Sequence, residues 1–143
     1  MPYIPTAPDI KTKVADTIRA RRKKASDLNA YIRFGTDRDE AGRYTTVGGA
    51  LVTVEARVHS SEHRSWAGNV PNGYEQRVEI SAVAKCHGNG CPSPDFMKEH
   101  SGYWPLDDDA DKAADAIVPL VQQAREWAQK HAEKCRAQAY DGR

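Results

Sequence analysis

The chain has no apolar run that approaches the length needed to cross a membrane. Its first ten residues, "MPYIPTAPDI", lack the charged-then-apolar order of a secretory signal. A cytoplasmic, reducing environment is therefore expected. Formal net charge is only +1 across 143 residues, so no global basic signal points to nucleic acid. No nucleophile elbow, no HExxH and no phosphate-binding loop occurs. No internal repeat or low-complexity tract is present either. Hydrophobic residues make up 39% against 29% charged, a lean supply for a core, so an added staple is expected.

The charge that is present is unevenly placed. Residues 1–33 hold eight Lys/Arg against three Asp, a net of +5. Residues 92–118 hold two Lys against seven acids, a net of −5. The basic run "RARRKK" contains Arg19, Arg21, Arg22, Lys23 and Lys24. It is a candidate phosphate-binding face, or an ordinary solvated one.

The order of elements reads as α+β: an N-terminal helix, an antiparallel sheet of two to four strands, and a long C-terminal helix packed on that sheet. Residues 1–8, with three prolines, read as a disordered lead. A single domain is expected over 9–143. Asp9 is a candidate N-cap for a basic helix over 9–30, with Ile10, Val14, Ile18 and Leu28 on one face. The sheet is expected within 31–86. "YIRFG" and "RYTTV" read as short strands of a hairpin separated by "TDRDEA". In "LVTVEARVH", Val52, Val54, Ala56 and Val58 alternate with polar residues, which is the period of a half-buried strand. "SSEHRSWAGNVPNGY" reads as a long loop with "PNG" as its turn. Within it, Trp66 is a candidate exposed anchor for a partner. In "EQRVEISAVAKC", Val78, Ile80, Ala82, Ala84 and Cys86 share one face. A connector over 92–107 leads to a helix over 108–138, whose apolar stripe includes His131 and Cys135. Pro119 either kinks that helix or begins a second one.

The chemistry sits in "KCHGNGCP" and "HAEKC". Zinc takes four nitrogen or sulfur ligands in a tetrahedron. In "CHGNGC", Gly88 and Gly90 let the backbone curl so that Cys86 and Cys91 converge. His131 and Cys135, four apart on one helix face, supply the other two ligands. The inward phase of Cys86 on its strand agrees with that of the helix stripe. The result is a ββα-like zinc knuckle over 86–91 with an H-x3-C partner, and it uses all three cysteines. His87 and His100 are competing ligands. A Cys86–Cys91 disulfide, or three unligated core cysteines, are the other readings. If the helix starts near Asp108, His131 lies about 35 Å along it. The sixteen-residue connector spans about 50 Å when extended, so closure is possible. It would lie along the helix with Phe96, Tyr103 and Trp104 beneath it. Asp107, Asp108, Asp109 and Asp111 resemble metal-binding acids, but a helix N-terminus accounts for them more simply.

The tail "AREWAQKHAEKCRA" resembles the ends of many small uncharacterised actinobacterial and actinophage proteins. These carry a cysteine pair after a strand and close with a helix ending H-A-x-x-C. The resemblance covers Val78 to Ala137 and implies a treble-clef or ββα-type zinc module. It assigns ligand roles to Cys86, Cys91, His131 and Cys135. This chain departs in its four-residue spacer, where C-x2-C is common.

Four protein ligands leave no open position on zinc, so the expectation is a non-enzymatic zinc protein. It would act as a protein-interaction or adaptor module, with a phage- or mobile-element-borne role among the settings. Nucleic-acid binding through the basic helix is the alternative. On this reading Cys86→Ala or Cys135→Ala destabilises the domain and Arg22→Ala does not.

Overall fold

The computed structural model describes residues 7–27, 34–92 and 94–139. Helix α1 spans Ala7–Asp27. It is followed by β1 (Phe34–Thr45), β2 (Leu51–Ala67), β3 (Val70–Cys86), β4 (Gly88–Asn89), β5 (Asp95–Glu99) and β6 (Trp104–Pro105). Helix α2 (Ala110–Lys134) and β7 (Gln138–Ala139) close the chain. The fold is α+β. The main sheet is antiparallel in the order β1-β2-β3-β5, with β6 also paired to β3. β4 and β7 form a separate two-stranded sheet. Among the described residues no helix is long and apolar enough to cross a membrane.

The period-two pattern of the sequence builds the core directly. On β2, Val52, Val54, Ala56, Val58 and Ser60 are buried; opposite them on β3 stand Cys86, Ala84, Ala82, Ile80 and Val78. Each valine or isoleucine so buried contributes about 1.5–3 kcal/mol relative to exposure. α2 covers this face with a seam rich in small residues, including Ala113, Ala114, Ala124 and Ala128. Alanine there brings the helix close to the sheet, and Ile117 and Val121 fill the space between. α1 adds Ile10, Val14, Ala15 and Ile18 to the same cluster.

Several expectations are corrected. The helix begins at Ala7, so Ala7 and Pro8 belong to α1 and not to a lead. Proline suits a first helical turn, where its missing N–H costs nothing. Positions 1–6, the 28–30 end of the expected helix and the Asp9 side chain lie outside the described residues. Of "YIRFG", positions 31–33 lie outside the described residues; Phe34 and Gly35 belong to the same strand as the start of "RYTTV" and do not pair with it. β1 runs unbroken across "TDRDEA", with a bulge between Glu40 and Gly42. Arg125, buried on α2, donates from Nε to the carbonyl of Ala41 at 2.8 Å, satisfying the group the bulge releases from the ladder.

The expected loop "SSEHRSWAGNVPNGY" is also strand. β2 and β3 stay paired to Ala67 and Val70, and the turn falls at Gly68, where φ is +63°. Glycine takes that left-handed conformation without a Cβ clash. The "PNG" signal lies inside β3. Of the two readings of Pro119, the start of a second helix does not occur, since a single helix runs from Ala110 to Lys134 with Pro119 inside it. The connector is not structureless. β5 and β6 pair along β3 from Lys85 back to Arg77, which carries the chain from the knuckle end of the sheet to the start of α2. Phe96 and Trp104 pack on the core, whereas Tyr103 is exposed beneath the Arg77 guanidinium.

Candidate metal centre

Cys86 is the last residue of β3 and faces inward, 3% exposed. Its N–H donates to the carbonyl of Pro94 at 2.6 Å, which ties the start of the knuckle to the chain just beyond its end. The next residue, His87, donates its backbone N–H to Leu51 at 2.8 Å. The chain then curls through Gly88 and Asn89 to Gly90, where φ is +78°. Cys91 emerges half-buried on the far side of the turn.

The second pair is set by the end of α2. His131 lies in the last turn, and its ring stacks on Trp127 with centroids 4.6 Å apart and planes inclined by 13°. Trp127 in turn stacks on Phe96 of β5 at 6.0 Å. The helix does not reach 138 as expected. It ends at Lys134, and Cys135 is its C-cap, in an extended conformation with φ −72° and ψ 125°. The Cys135 N–H still donates to the His131 carbonyl at 2.8 Å, so the two ligand residues remain one turn apart.

Beyond Cys135 the tail is held between two loops. Val47 and Gly48 donate backbone N–H groups to Ala132 and Cys135. Thr46 Oγ1 donates to the carbonyl of Ala137 at 3.2 Å and accepts from the Ala50 N–H at 2.8 Å. β7 pairs with β4 inside the knuckle. A Cβ at Gly48 would collide with the backbone of Arg136 and Ala137; one at Gly88 would meet Ala137, Ala50 and the Cys86 sulfur. Both glycines therefore make room for the tail.

The outcome is one cluster. The ligand atoms of Cys86, Cys91, His131 and Cys135 all lie within 4.8 Å of one another, positioned to bind a metal ion. Cys91 Sγ is 3.4 Å from His131 Nε2 and 3.8 Å from Cys135 Sγ. All three cysteines are free, so the competing reading of a Cys86–Cys91 disulfide does not occur. Burial pushes the Cys86 thiol up to about 11, with the hydrogen bond to Cys91 adding to the rise and one from Gly88 opposing it. A cation among the four side chains would reverse that balance, because it favours the thiolate.

The other candidates lie elsewhere. His87 is exposed and its Nε2 is 3.0 Å from Thr53 Oγ1. The His100 ring lies tilted by 37° against Trp104 with centroids 4.7 Å apart. Neither joins the cluster. The acids at the start of α2 serve the helix: Asp109 accepts from the Asp111 N–H, and Asp108 pairs with Lys112. A backbone hydrogen bond from Asp109, with Lys112 alongside, holds the Asp108 carboxyl below its ordinary value.

Three residues of the basic run have partners within the chain. Arg19 pairs with Asp16 and Asp111, Arg21 with Asp37, and Arg22 donates to the carbonyls of Leu106 and Asp108. Lys23 is exposed, and the Lys24 side chain lies outside the described residues. Trp66 is 54% exposed near the β2–β3 turn, with the Arg64 guanidinium 5.6 Å from its ring centre.

Sequence reasoning missed the support around the ligands. The Phe96–Trp127–His131 stack was visible only as the i, i+4 spacing of Trp127 and His131. The grip of residues 46–50 on the tail had no signal beyond "GG". No protein-family model, curated protein or solved structure matches this chain.

Proposed function

We propose that the chain is a non-enzymatic zinc-binding module that works by presenting a protein-binding surface. The observation that carries this reading is the convergence of Cys86, Cys91, His131 and Cys135. Three sulfurs and one imidazole are a donor set that zinc favours. Zinc bonds of about 2.0–2.3 Å place the atoms of a tetrahedral ligand set about 3.5–3.8 Å apart. The two separations of 3.4 and 3.8 Å around Cys91 suit that tetrahedron. Four protein donors leave no coordination position for a reacting water, which is the pattern of a structural ion. Its work would be to fasten the end of β3, the end of α2 and the tail to one another, supplementing a core built largely from valine and alanine.

For the surface itself, the β2–β3 hairpin is the strongest candidate. Near its tip Trp66 and Val70 are exposed. A large aromatic at such a place is the usual anchor of a protein contact. The nucleic-acid alternative is less well supported, because Arg19, Arg21 and Arg22 already have partners within the chain.

Two measurements test this reading. Elemental analysis should find one zinc per chain. Affinity capture from host-cell extract should retain a partner with the parent protein and lose it with Trp66→Ala. Retention should persist as salt rises. Capture of nucleic acid that falls steeply with salt would favour the alternative.

A further inference from the structure

The four ligand side chains are not equally protected. Cys86 is buried at 3% exposure, while Cys91 and Cys135 are only half-buried. A cleft of 370 Å³ opens beside the cluster, lined by Cys91, His131 and Cys135 but not by Cys86. Its rim carries two cations, Lys134 and Arg136, both exposed. Reactive cysteines are found in partly exposed, electropositive surroundings, whereas buried ones are inert. The two sulfurs that face the cleft are also the pair separated by 3.8 Å.

We infer that this centre is an oxidant-responsive switch, in which peroxide joins Cys91 to Cys135 and releases the metal. The inference rests on the zinc reading above. One thiolate attacks an oxygen of hydrogen peroxide. The O–O bond breaks, a sulfenic acid forms, and the departing hydroxide takes a proton. The second thiolate attacks that sulfur, the S–S bond forms, and the second hydroxide leaves and is protonated. In sum, two thiolates, one peroxide and two protons give one disulfide and two waters. The two sulfurs are oxidised by two electrons, and peroxide is reduced by two. Zinc loses two of its four ligands and departs as the dication.

The consequence is a substitution of one tie for another. Cys91 belongs to the knuckle and Cys135 caps α2, so the disulfide keeps the two segments joined after the ion has gone. The hydrogen bonds from Gly48 and Thr46 to the tail need no metal. Cys86 and His131 are the groups set free.

The experiment uses the full chain loaded with zinc and treated with hydrogen peroxide, with released zinc followed by a chromogenic chelator. The expected result is one zinc released per peroxide consumed, a peptide map linking Cys91 to Cys135, and Cys86 as the remaining thiol. Dithiothreitol with added zinc should restore the starting state. Replacing Lys134 and Arg136 by alanine should slow release by about threefold or more while leaving the zinc content unchanged. A disulfide that includes Cys86, or release with sulfonic acids and no disulfide, would overturn the inference. Zinc-loaded protein that keeps its metal in peroxide would overturn it alone. Protein that takes up no zinc would overturn both it and the reading on which it rests.

Discussion

Cys91 and Cys135, 44 positions apart in the chain, bring their sulfurs to 3.8 Å. One sits in a glycine turn after a strand, and the other ends a helix. Neither element places its sulfur there by itself. The meeting depends on the return path of β5 and β6 along β3, and on the length of α2.

Chelation should therefore act on the tertiary structure and not on one loop. Removing the metal is expected to lower the melting temperature by several degrees, because binding to the folded state alone adds its free energy to stability. Differential scanning calorimetry with and without chelator checks this. Unchanged melting of metal-loaded and stripped protein would contradict it.

Gly48 has no room for a side chain beneath the Arg136 backbone. Gly48→Ala should cost about 1–3 kcal/mol, the usual range for overpacking, and should weaken metal binding as well. Gly102→Ala is the control, since its Cβ would find only an ordinary contact with the His100 ring. Denaturant titration of both variants measures the difference.

Trp127 holds the His131 imidazole by stacking at 4.6 Å. Trp127→Ala should reduce metal affinity by about 10-fold or more, in the range seen when a ligand's orienting neighbour is lost. Trp127→Phe should recover most of it. Competition with a chromogenic chelator reads the affinity. Equal affinity in the alanine variant and the parent would show that the stack is packing only.

Arg22 reverses an expectation. Read from sequence it belongs to a solvated charge run and is dispensable. In the fold it donates to the carbonyls of Leu106 and Asp108, just before α2 begins. Arg22→Ala should thus cost about 1.5–3 kcal/mol, as loss of a charge-assisted hydrogen bond does. Melting indistinguishable from the parent would restore the earlier view.

Asp39 offers a pH test. Burial raises its pKa above the ordinary carboxylate value, a rise that the hydrogen bond from Thr17 opposes and the charge of Asp37 reinforces. A raised folded pKa means that the ionised form is disfavoured on folding. That cost is present at neutral pH and disappears as pH falls through the folded value to the unfolded one. Asp39→Asn should then be slightly more stable than the parent at pH 7, with the gap closing on acidification. Melting curves of the pair from pH 3 to 7 would show it, and a gap that widens toward low pH would reject it.

The sequence was informative where burial follows a single period. The alternation in β2 and β3 placed Val52 to Val58 and Val78 to Cys86 on one face, and the structure keeps every one of them buried. Cys86, His131 and Cys135 were legible for the same reason, since their phases agreed with that face, and Cys91 followed from the glycine turn that pairs it with Cys86. What was not legible depends on partners remote in the chain. "SSEHRSWA" is polar and carries no core pattern; it is strand because β3 pairs with it. "TDRDEA" stays in one strand because Arg125, far along α2, satisfies the bulge at Ala41. The helix ends at Lys134 because the tail is drawn off to Gly48 and β4, a contact that no local residue preference encodes.

The measurement that bears most directly on the account is the metal content of the purified chain, with thiols titrated before and after chelation. One zinc per chain is predicted, with the thiols of Cys86, Cys91 and Cys135 protected until the chelator is added. No bound metal, with all three thiols reacting freely from the start, would contradict the account and return the cluster to a set of unligated side chains.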